Sequence, residues 1–279
     1  VTTFAIIIYN LKSVQNIGSA NETIENFQTT SPYTTVPTSY DELVEVSKTI
    51  KEKKGIVGAG FDSLNTYYTT FLKAEGKSFD NNFDVTSEES AKAFNYYLEG
   101  VKEGYFRIAG TDKYLSGPFG NGTVAMYVGS NAGENFVKQG VDGKFEIGVA
   151  PYPTKASLQQ GTDLYVFSSA TAEQKTAAYE YLKFLTSKES QIKWASATGY
   201  VPVRQSALDS EEYKNCGSLI APILSDATKN LYTNPVISGA DAAYREAGTV
   251  LEAVLADPNN ADVTKKLEEF KSTLNSIWE

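Results

Sequence analysis

The chain opens on a short run of apolar, mostly β-branched residues, VTTFAIIIYN. A run of this length without polar alternation predicts a strand that is buried in a sheet. The residues that follow, up to about position 38, are rich in Ser, Thr and Asn and predict mostly loop. The spacing then becomes helical in PTSYDELVEVSKTIKEKKG, where Ser39 and Glu42 predict a capping box and Gly55 predicts the helix end.

Segments with strand-like and helix-like patterns alternate along the rest of the chain. Strands are predicted at IVGAGF, FGNGTVAMYVGS, FEIGVAPYP and TDLYVFSS, and helices at SLNTYYTTFLKAEG, SEESAKAFNYYLEGVKEG, TAEQKTAAYEYLKFLTS and KESQIKWASATGY. Two amphipathic helices, GADAAYREAGTVLEAVLADP and NADVTKKLEEFKSTLNSIW, come last. This pattern is typical of an α/β fold.

One stretch, FDNNFDVTSEES, superficially has the alternating Asp and Asn positions of a calcium-binding loop. Val85 stands where such a loop needs glycine, and Ala91 stands where it needs glutamate. The stretch is therefore interpreted as a turn that leads into a capping box of Thr86 and Glu89.

The composition excludes several kinds of catalytic and metal site. The 279 residues include no histidine and one cysteine, Cys216. Catalysis of the Ser-His-Asp or Cys-His type and His-ligated zinc are therefore excluded, and neither an intrachain disulfide nor a cysteine-cluster metal site can form. We predict no catalytic residue, no metal and no cofactor.

Charge and hydropathy restrict the kinds of partner that the protein can have. With 25 basic and 34 acidic residues the formal charge is −9, and no run of Lys or Arg supplies the basic face that a nucleic-acid partner requires. No window approaches the roughly 18–20 apolar residues of a membrane span. The opening run lacks a basic region and a cleavage site, so it is not an intact signal peptide, and we expect that the natural beginning of the protein is missing.

Several motifs occur in an order that resembles one known family. An apolar strand ends in Tyr9-Asn10, PTSYDEL begins a helix, and FGNGTVAMYVGS and a glycine-containing strand follow. After these come AAYEYLKFLTSKESQIKWASATGYVPVRQSA and a terminal pair of helices. Together they resemble the extracellular solute-binding proteins of bacterial sugar importers, which include maltodextrin-binding and glycerol-3-phosphate-binding proteins.

The resemblance implies a two-lobed, periplasmic-binding-protein-like α/β fold of type II, here mostly the C-terminal lobe and part of the N-terminal lobe. Members of the family carry a further N-terminal segment before the Tyr-Asn strand, to which this sequence has no counterpart. By the family's pattern, residues 1–158 form the first part of the C-terminal lobe. Residues 159–229 form the returning part of the N-terminal lobe, and residues 230–279 are the closing helices of the C-terminal lobe.

The resemblance also implies a function in transport and not in catalysis. The protein is expected to be the substrate-binding component of an ABC importer, with a carbohydrate or polyol as ligand and the permease subunits as partners. It is expected to be a monomer outside the cytoplasm, either in the periplasm or as a lipoprotein on the cell surface.

Capture of a sugar or polyol needs flat aromatic faces and short polar side chains. Tyr67 stands where sugar-binding relatives have an aromatic at the start of a cleft helix, and Asn65 lies beside it. Ser130 and Asn131 end a strand where relatives often carry Trp, and these small residues favour a small or hydroxyl-rich ligand. The alternative interpretations are an ordinary amphipathic helix residue for Tyr67 and turn chemistry for Ser130.

Three further candidates follow later in the chain. Gly161 would let a ligand approach the backbone, or simply form a turn. Tyr200 lies in ATGYVPVRQSAL, where Gly199 predicts a left-handed helix cap that would hold the tyrosine ring towards the ligand. Arg204 could pair with an anionic ligand or with a surface carboxylate.

Alternative functions remain open on the residues alone. TGYVPV matches the glycerol-3-phosphate subgroup, so a receptor for glycerol 3-phosphate or a glycerophosphodiester is the first alternative. That subgroup has a further arginine just before the penultimate helix, whereas NPVISGADAAYR carries Arg245 within the helix. A glycosidase with two carboxylates and a surface protein without a transport role are alternatives of other classes.

Overall fold

The computed structural model describes residues 2–14, 36–154 and 156–279. Within them the strands are β1 (Thr2–Asn10), β2 (Val57–Phe61), β3 (Phe106–Arg107), β4 (Val124–Ser130), β5 (Ile147–Pro151), β6 (Ser157–Gly161) and β7 (Leu231–Tyr232). They form one mixed sheet in the order β3-β2-β4-β1-β6-β7, and β5 also pairs with β1.

Strand β1 lies at the centre of this sheet. One of its edges is antiparallel to β4, with Ile7 opposite Val128, and the other edge is antiparallel to β6 and then to β5. Strand β2 runs parallel to β3 and β4. The carboxyl ends of β2 and β4 therefore meet at the same edge of the sheet.

The helices surround the sheet and carry most of the remaining described residues. They are α1 (Leu11–Val14), α2 (Tyr40–Lys54), α3 (Leu64–Ala74), α4 (Glu88–Glu103), α5 (Ser116–Gly120), α6 (Glu134–Val141), α7 (Ala172–Leu185), α8 (Lys188–Thr198), α9 (Gln205–Leu208), α10 (Glu211–Lys214), α11 (Leu224–Ala227), α12 (Ala240–Ala256) and α13 (Val263–Trp278). None of these helices has both the length and the apolar character that crossing a membrane requires.

Side chains of β1 alternate between two cores, because successive residues of a strand point to opposite faces. Ile7 and Tyr9 enter the larger core, which α2, α3, α4, α12 and α13 complete. Ile6 and Ile8 enter a second core, to which α5, α6 and residues between 201 and 227 contribute. The prediction of a buried opening strand is confirmed, and burial on both faces explains why its apolar run is continuous.

The N-cap at Ser39 and the helix end at Gly55 agree with the prediction, whereas the second bond of the predicted capping box is replaced by bonds from Thr38 to Glu42. The Ser39 Oγ accepts a hydrogen bond from the N–H of Glu42 at 3.1 Å, and Gly55 ends the helix in the left-handed conformation. The Glu42 carboxylate accepts hydrogen bonds from the N–H and the hydroxyl of Thr38, each at 2.7 Å. These bonds lower the pKa of Glu42.

The predicted capping box of Thr86 and Glu89 is wrong by one residue. Ser87 is the N-cap of α4, and its Oγ accepts from the N–H of Ser90 at 3.4 Å. The Thr86 hydroxyl donates to Asp84 Oδ1 at 2.7 Å. Thr86 is therefore part of the turn that precedes α4 and is not its N-cap.

The predicted strand TDLYVFSS, residues 162–169, is not a strand in the structure. Side chains of residues 164–167 are 41–85% exposed, and Tyr179, Tyr181 and Phe184 of α7 are more than 60% exposed. We call residues 164–167 and these three side chains the exposed apolar face. A strand requires a partner for its backbone groups, and none of the described strands lies alongside this segment.

Candidate functional site

The carboxyl ends of β2 and β4 meet the amino end of α3 at a concave surface. A larger cavity of about 530 Å³ and a smaller one of about 40 Å³ adjoin there, since Phe61 and Ser63 line both. Ligands of open α/β sheets bind outside the carboxyl ends of the strands. These two cavities, together called the strand-end pocket, are therefore the candidate site.

Hydrogen bonds connect the polar groups at the start of α3 to two other elements. Ser63 is the N-cap of α3, and its Oγ donates to Asn65 Oδ1 at 2.5 Å. The hydroxyl of Thr66 lies 2.6 Å from Tyr244 Oη of α12, which also accepts from Gln160 Nε2 of β6 at 3.1 Å. Helix α3, helix α12 and strand β6 thus hold hydroxyl and amide groups in one connected set beside the smaller cavity.

Asp62 follows β2 directly and lines the larger cavity. Its Oδ1 accepts a hydrogen bond from the N–H of Leu115 at 2.7 Å, and its Oδ2 accepts from Tyr127 Oη at 3.1 Å. Burial raises the pKa of Asp62, while the two hydrogen bonds act in the opposite direction. A carboxylate offers about four acceptor positions, so capacity remains for a ligand.

Helix α12 forms the opposite wall of the larger cavity. Arg245, Gly248, Thr249 and Glu252 line it, at the spacing of one helix face. A Cβ added at Gly248 would lie 3.2 Å from the Cβ of Asn65, so glycine allows α12 to approach α3 closely. Lys113 contributes a cation from the loop after β3.

Three of the residues predicted to bind ligand, Asn65, Tyr67 and Ser130, lie at the strand-end pocket. Asn65 lines the larger cavity and Ser130 lines the smaller one. The Ser130 Oγ also accepts from the N–H of Ala132 at 3.2 Å, which is the turn chemistry expected at a strand end. Ligand contact by Asn65 and Ser130 stays a prediction.

Tyr67 packs in the core and lines the smaller cavity, and its contact with ligand stays a prediction. It is fully buried, its Oη donates to the carbonyl of Ala93 at 2.7 Å, and its ring packs against Phe61 and Tyr97. Every residue of α3 from Thr66 to Leu72 is buried, because α4 and α12 cover this helix. Tyr67 reaches the site only as part of the wall of the smaller cavity.

Asn131 is also fully buried, and both ends of its amide are used within the protein. Its Oδ1 accepts from the N–H of Phe4 at 2.7 Å, and its Nδ2 donates to the carbonyl of Gly199 at 2.6 Å. Gly199 has the predicted left-handed conformation, with φ of 76°, and ends α8. Asn131 therefore connects β1 to the end of α8 and lines neither cavity.

The other three predicted residues also line neither cavity. Gly161 ends β6 and is exposed. Tyr200 is half-buried and its N–H donates to Thr198 Oγ1 at 3.3 Å. Arg204 is exposed and its Nε donates to the carbonyl of Thr186, so its partner is a backbone group. Ligand contact by these three residues stays a prediction.

Sequence reasoning missed four polar residues that line the pocket, namely Asp62, Ser63, Thr66 and Gln160, and also Tyr244, which is hydrogen-bonded to two of them. The pair Asp62-Ser63 had a signal, since it follows an apolar strand directly and begins a helix, where α/β folds place ligands. Gln160 and Tyr244 had no local signal, because only the fold brings them to α3. No group of acidic or cysteine side chains that could hold a metal ion occurs in the described part of the chain.

Comparison with known proteins gives the family. Residues 6–219 match the sequence profile of a family described as bacterial extracellular solute-binding protein. The chain is similar to the sn-glycerol-3-phosphate-binding periplasmic protein UgpB of Brucella melitensis, with 26% identity over 213 residues, 67% of the chain. It is also similar to the maltotriose-binding protein of Pyrococcus abyssi, with 23% identity over 259 residues, 85% of the chain. The chain spans about half the length of these relatives, 48% and 54% respectively.

Solved structures show the fold. The maltose-bound MalE3 of T. maritima superposes with a TM-score of 0.77 at 20% identity, covering 99% of this chain and 71% of its own. UgpB of Mycobacterium tuberculosis in complex with glycerophosphocholine gives a TM-score of 0.78 at 21% identity, with coverages of 99% and 69%. These likenesses confirm the predicted type II periplasmic-binding-protein fold.

The sequence match and the structural likenesses agree over most of the chain. The description of the family places its members outside the cytoplasm, as expected from the sequence. On this evidence the chain belongs to the family of bacterial extracellular solute-binding proteins.

Proposed function

We propose that this protein is the substrate-binding component of an ABC importer, which captures a carbohydrate or polyol in a cleft between two lobes and presents it to the permease subunits. The observation that carries the proposal is the strand-end pocket, where hydroxyl, amide and carboxylate groups converge at the carboxyl ends of parallel strands. Relatives named for maltotriose and maltose binding support this solute class.

The chemistry of the pocket suits capture of a hydroxyl-rich molecule. Ser63 and Asn65 provide hydroxyl and amide groups that both donate and accept, and Asp62 provides an acceptor. A sugar hydroxyl also donates and accepts, so each one can bond to two such groups. Binding without a chemical step is the expected outcome, and the relatives are named as binding proteins and not as enzymes.

A receptor for glycerol 3-phosphate or a glycerophosphodiester is the second candidate. The UgpB proteins favour it, both by sequence and by the structure that contains glycerophosphocholine. Lys113 and Arg245 on the walls of the larger cavity are the groups of this chain that a phosphate could use.

The lobe arrangement is part of the proposal. Residues 1–158 and 230–279 would form one lobe, and residues 159–229 would contribute to the other. The exposed apolar face supports this division, because apolar side chains on both sides of residues 164–167 are typical of a strand in the interior of a sheet. In the whole protein, further polypeptide of the second lobe would cover this face. Within residues 159–229, Val201, Ile220 and Ile223 also pack in the core that Ile6 and Ile8 of β1 enter.

Hydrogen–deuterium exchange tests the lobe arrangement. In the whole protein, the amides of residues 164–167 should exchange slowly, since a paired strand protects them. Rapid exchange there, with protection of β1 as the internal control, would contradict the proposal that residues 164–167 form a paired strand.

The function is tested by calorimetric titration of the whole protein with maltotriose, sn-glycerol 3-phosphate and glycerophosphocholine, followed by an NMR check for products. We expect tight binding of one compound without turnover. The formation of products would support the glycosidase alternative, and binding of none of these or of a wider saccharide panel would contradict the proposal.

A matched pair of variants locates the site. Thr66→Val and Thr70→Val each remove a buried hydroxyl that lies within hydrogen-bond distance of a tyrosine Oη, at 2.6 and 2.9 Å respectively. Only Thr66 lines the strand-end pocket. We therefore expect similar losses of stability from both variants, and weaker ligand binding from Thr66→Val alone.

A further inference from the structure

The larger cavity carries charges of both signs on its walls. Asp62 and Glu252 contribute carboxylates, and Lys113 and Arg245 contribute cations. Arg245 is ion-paired with Asp241 one turn earlier on α12. Neither Lys113 nor Glu252 takes part in an ion pair within the described ranges, and Lys113 Nζ lies 5.6 Å from the centroid of the Tyr114 ring.

Asp62 is the least exposed of these charged groups. Leu115 N and Tyr127 Oη each donate to a different oxygen of its carboxylate. This pattern favours the ionised form, because an ionised carboxylate only accepts hydrogen bonds. Each oxygen keeps the capacity to accept a further hydrogen bond.

Lys113 is placed by a turn of defined geometry. Its φ of 65° and ψ of −41° are unfavourable for a residue other than glycine. Its N–H donates to the carbonyl of Gly110 at 3.1 Å, which closes a 3₁₀ turn over Gly110–Asp112. The side chain therefore lines the cavity from a fixed turn and not from a free loop.

This mixture of charges distinguishes between classes of ligand. A hydroxyl group can donate a hydrogen bond to a carboxylate and accept one from a cation. A polyhydroxylated molecule can therefore form hydrogen bonds with both the carboxylates and the cations of the cavity. A phosphate only accepts, and its negative charge would lie against Asp62 in a half-buried site, where like charges repel more strongly than in water. A quaternary ammonium could approach Asp62 or Glu252 through its charge, but it cannot donate an N–H hydrogen bond and would leave their acceptor positions unfilled.

We infer that the larger cavity binds a neutral, hydroxyl-rich part of the ligand, and that Asp62 is the residue that selects it over an anionic phosphate. The inference rests on the proposed function of solute capture and narrows its ligand from two candidate classes to a carbohydrate or polyol.

The test is a titration of the whole protein, as wild type and as Asp62→Asn, with maltotriose and with sn-glycerol 3-phosphate at neutral pH. The wild type should prefer maltotriose. Asp62→Asn should weaken maltotriose binding by about tenfold or more, since a hydrogen bond to a charged acceptor is lost. It should also reduce the preference for maltotriose over the phosphate, because the repulsion is removed.

Two further variants separate selection from structural damage. Tyr127→Phe removes one hydrogen bond of Asp62 without changing the charge of the cavity, so the preference between the two probes should be kept. Glu252→Gln changes the charge at an exposed wall position, and it should raise the affinity for the phosphate relative to maltotriose even if Asp62→Asn folds poorly.

Two results would overturn the inference while solute capture stands: tighter binding of the phosphate by the wild type, or an equal effect of Asp62→Asn on both probes. If the folded wild type binds neither probe nor any saccharide, the proposed function fails and the inference fails with it.

Discussion

The side-chain amide of Asn131 donates to the carbonyl of Gly199 at 2.6 Å and accepts from the N–H of Phe4 at 2.7 Å. It thereby joins the central strand β1 to the end of α8, where Gly199 lies 68 residues after Asn131 in the sequence. Asn135 adds a second connection, since its Nδ2 donates to the carbonyl of Ala197 at 2.9 Å. These hydrogen bonds thus hold the turn after α8 against the sheet whose strand ends form the strand-end pocket.

The first prediction concerns the stability that this connection provides. Asn131→Ala leaves the N–H of Phe4 and the carbonyl of Gly199 buried without partners, and we expect a loss of about 2–4 kcal/mol in the free energy of unfolding. Urea denaturation of the purified protein measures it. Asn135→Ala is the control, because the hydrogen bond of this half-buried residue to the same helix end is exposed to solvent and its loss should cost less than about 1 kcal/mol. A similar loss from both variants would contradict the special role of Asn131.

The second prediction compares two glycines that end helices in the left-handed conformation. A Cβ added at Gly199 would lie 3.0 Å from the carbonyl oxygen of Asn131, whereas a Cβ at Gly55 would meet nothing within 4 Å. Gly55→Ala should therefore show only the conformational cost, about 1 kcal/mol. Gly199→Ala should destabilise the protein by more, about 2 kcal/mol, because the new Cβ also lies too close to the carbonyl oxygen of Asn131. Thermal unfolding of the two variants measures both losses of stability. Equal decreases in melting temperature would show that the turn at Gly199 moves enough to accommodate the Cβ at no further cost.

The third prediction is that Tyr200 contributes an aromatic face to the ligand. Tyr200→Ala should weaken ligand binding by about tenfold or more, since aromatic side chains supply much of the energy of recognition. The melting temperature should stay nearly unchanged, because the ring is only half-buried. Tyr200→Phe keeps the ring and serves as the control, with affinity close to that of the wild type. Calorimetry with whichever probe the protein binds is the measurement, and unaltered affinity of Tyr200→Ala would remove this residue from the site.

Local patterns in the sequence were sufficient to predict most elements of the fold. The helix caps at Ser39, Gly55 and Gly199 were predicted correctly, because a cap depends on side chains and backbone within a few residues. The unpaired segment 162–169 was predicted as a strand because its residues favour one. A strand also needs a partner, which a local pattern cannot supply.

The candidate site was predictable only in part, for a related reason. Asn65 and Ser130 lie next to a helix start and a strand end, and both reach the strand-end pocket. Tyr67 and Asn131 are close to them in sequence, yet helices and strands remote along the chain bury both. Which side of α3 faces a cavity is decided by α4 and α12, and no pattern within α3 reports it.

The last prediction concerns Asp84, whose exposed carboxylate is held in a turn before α4. Its Oδ1 accepts hydrogen bonds from the hydroxyl of Thr86 at 2.7 Å, from the N–H of Thr86 at 3.1 Å and from Lys271 Nζ at 3.1 Å. These hydrogen bonds, that of the Thr86 hydroxyl first, lower the pKa of Asp84 from 3.8 to about 2. The hydrogen bonds therefore favour the folded state at pH values above 3.8, and this contribution is lost as the pH falls towards 2.

Removing the donors one at a time tests which of them sets this pKa. Thr86→Val deletes the hydroxyl and should raise the pKa of Asp84 clearly towards 3.8, whereas Lys271→Met should raise it less, because exposed ion pairs are screened by solvent. Titration of the Asp84 carboxyl carbon by NMR gives both values in the folded protein. A larger rise in Lys271→Met than in Thr86→Val would show that the ion pair, and not the turn, stabilises the charged form.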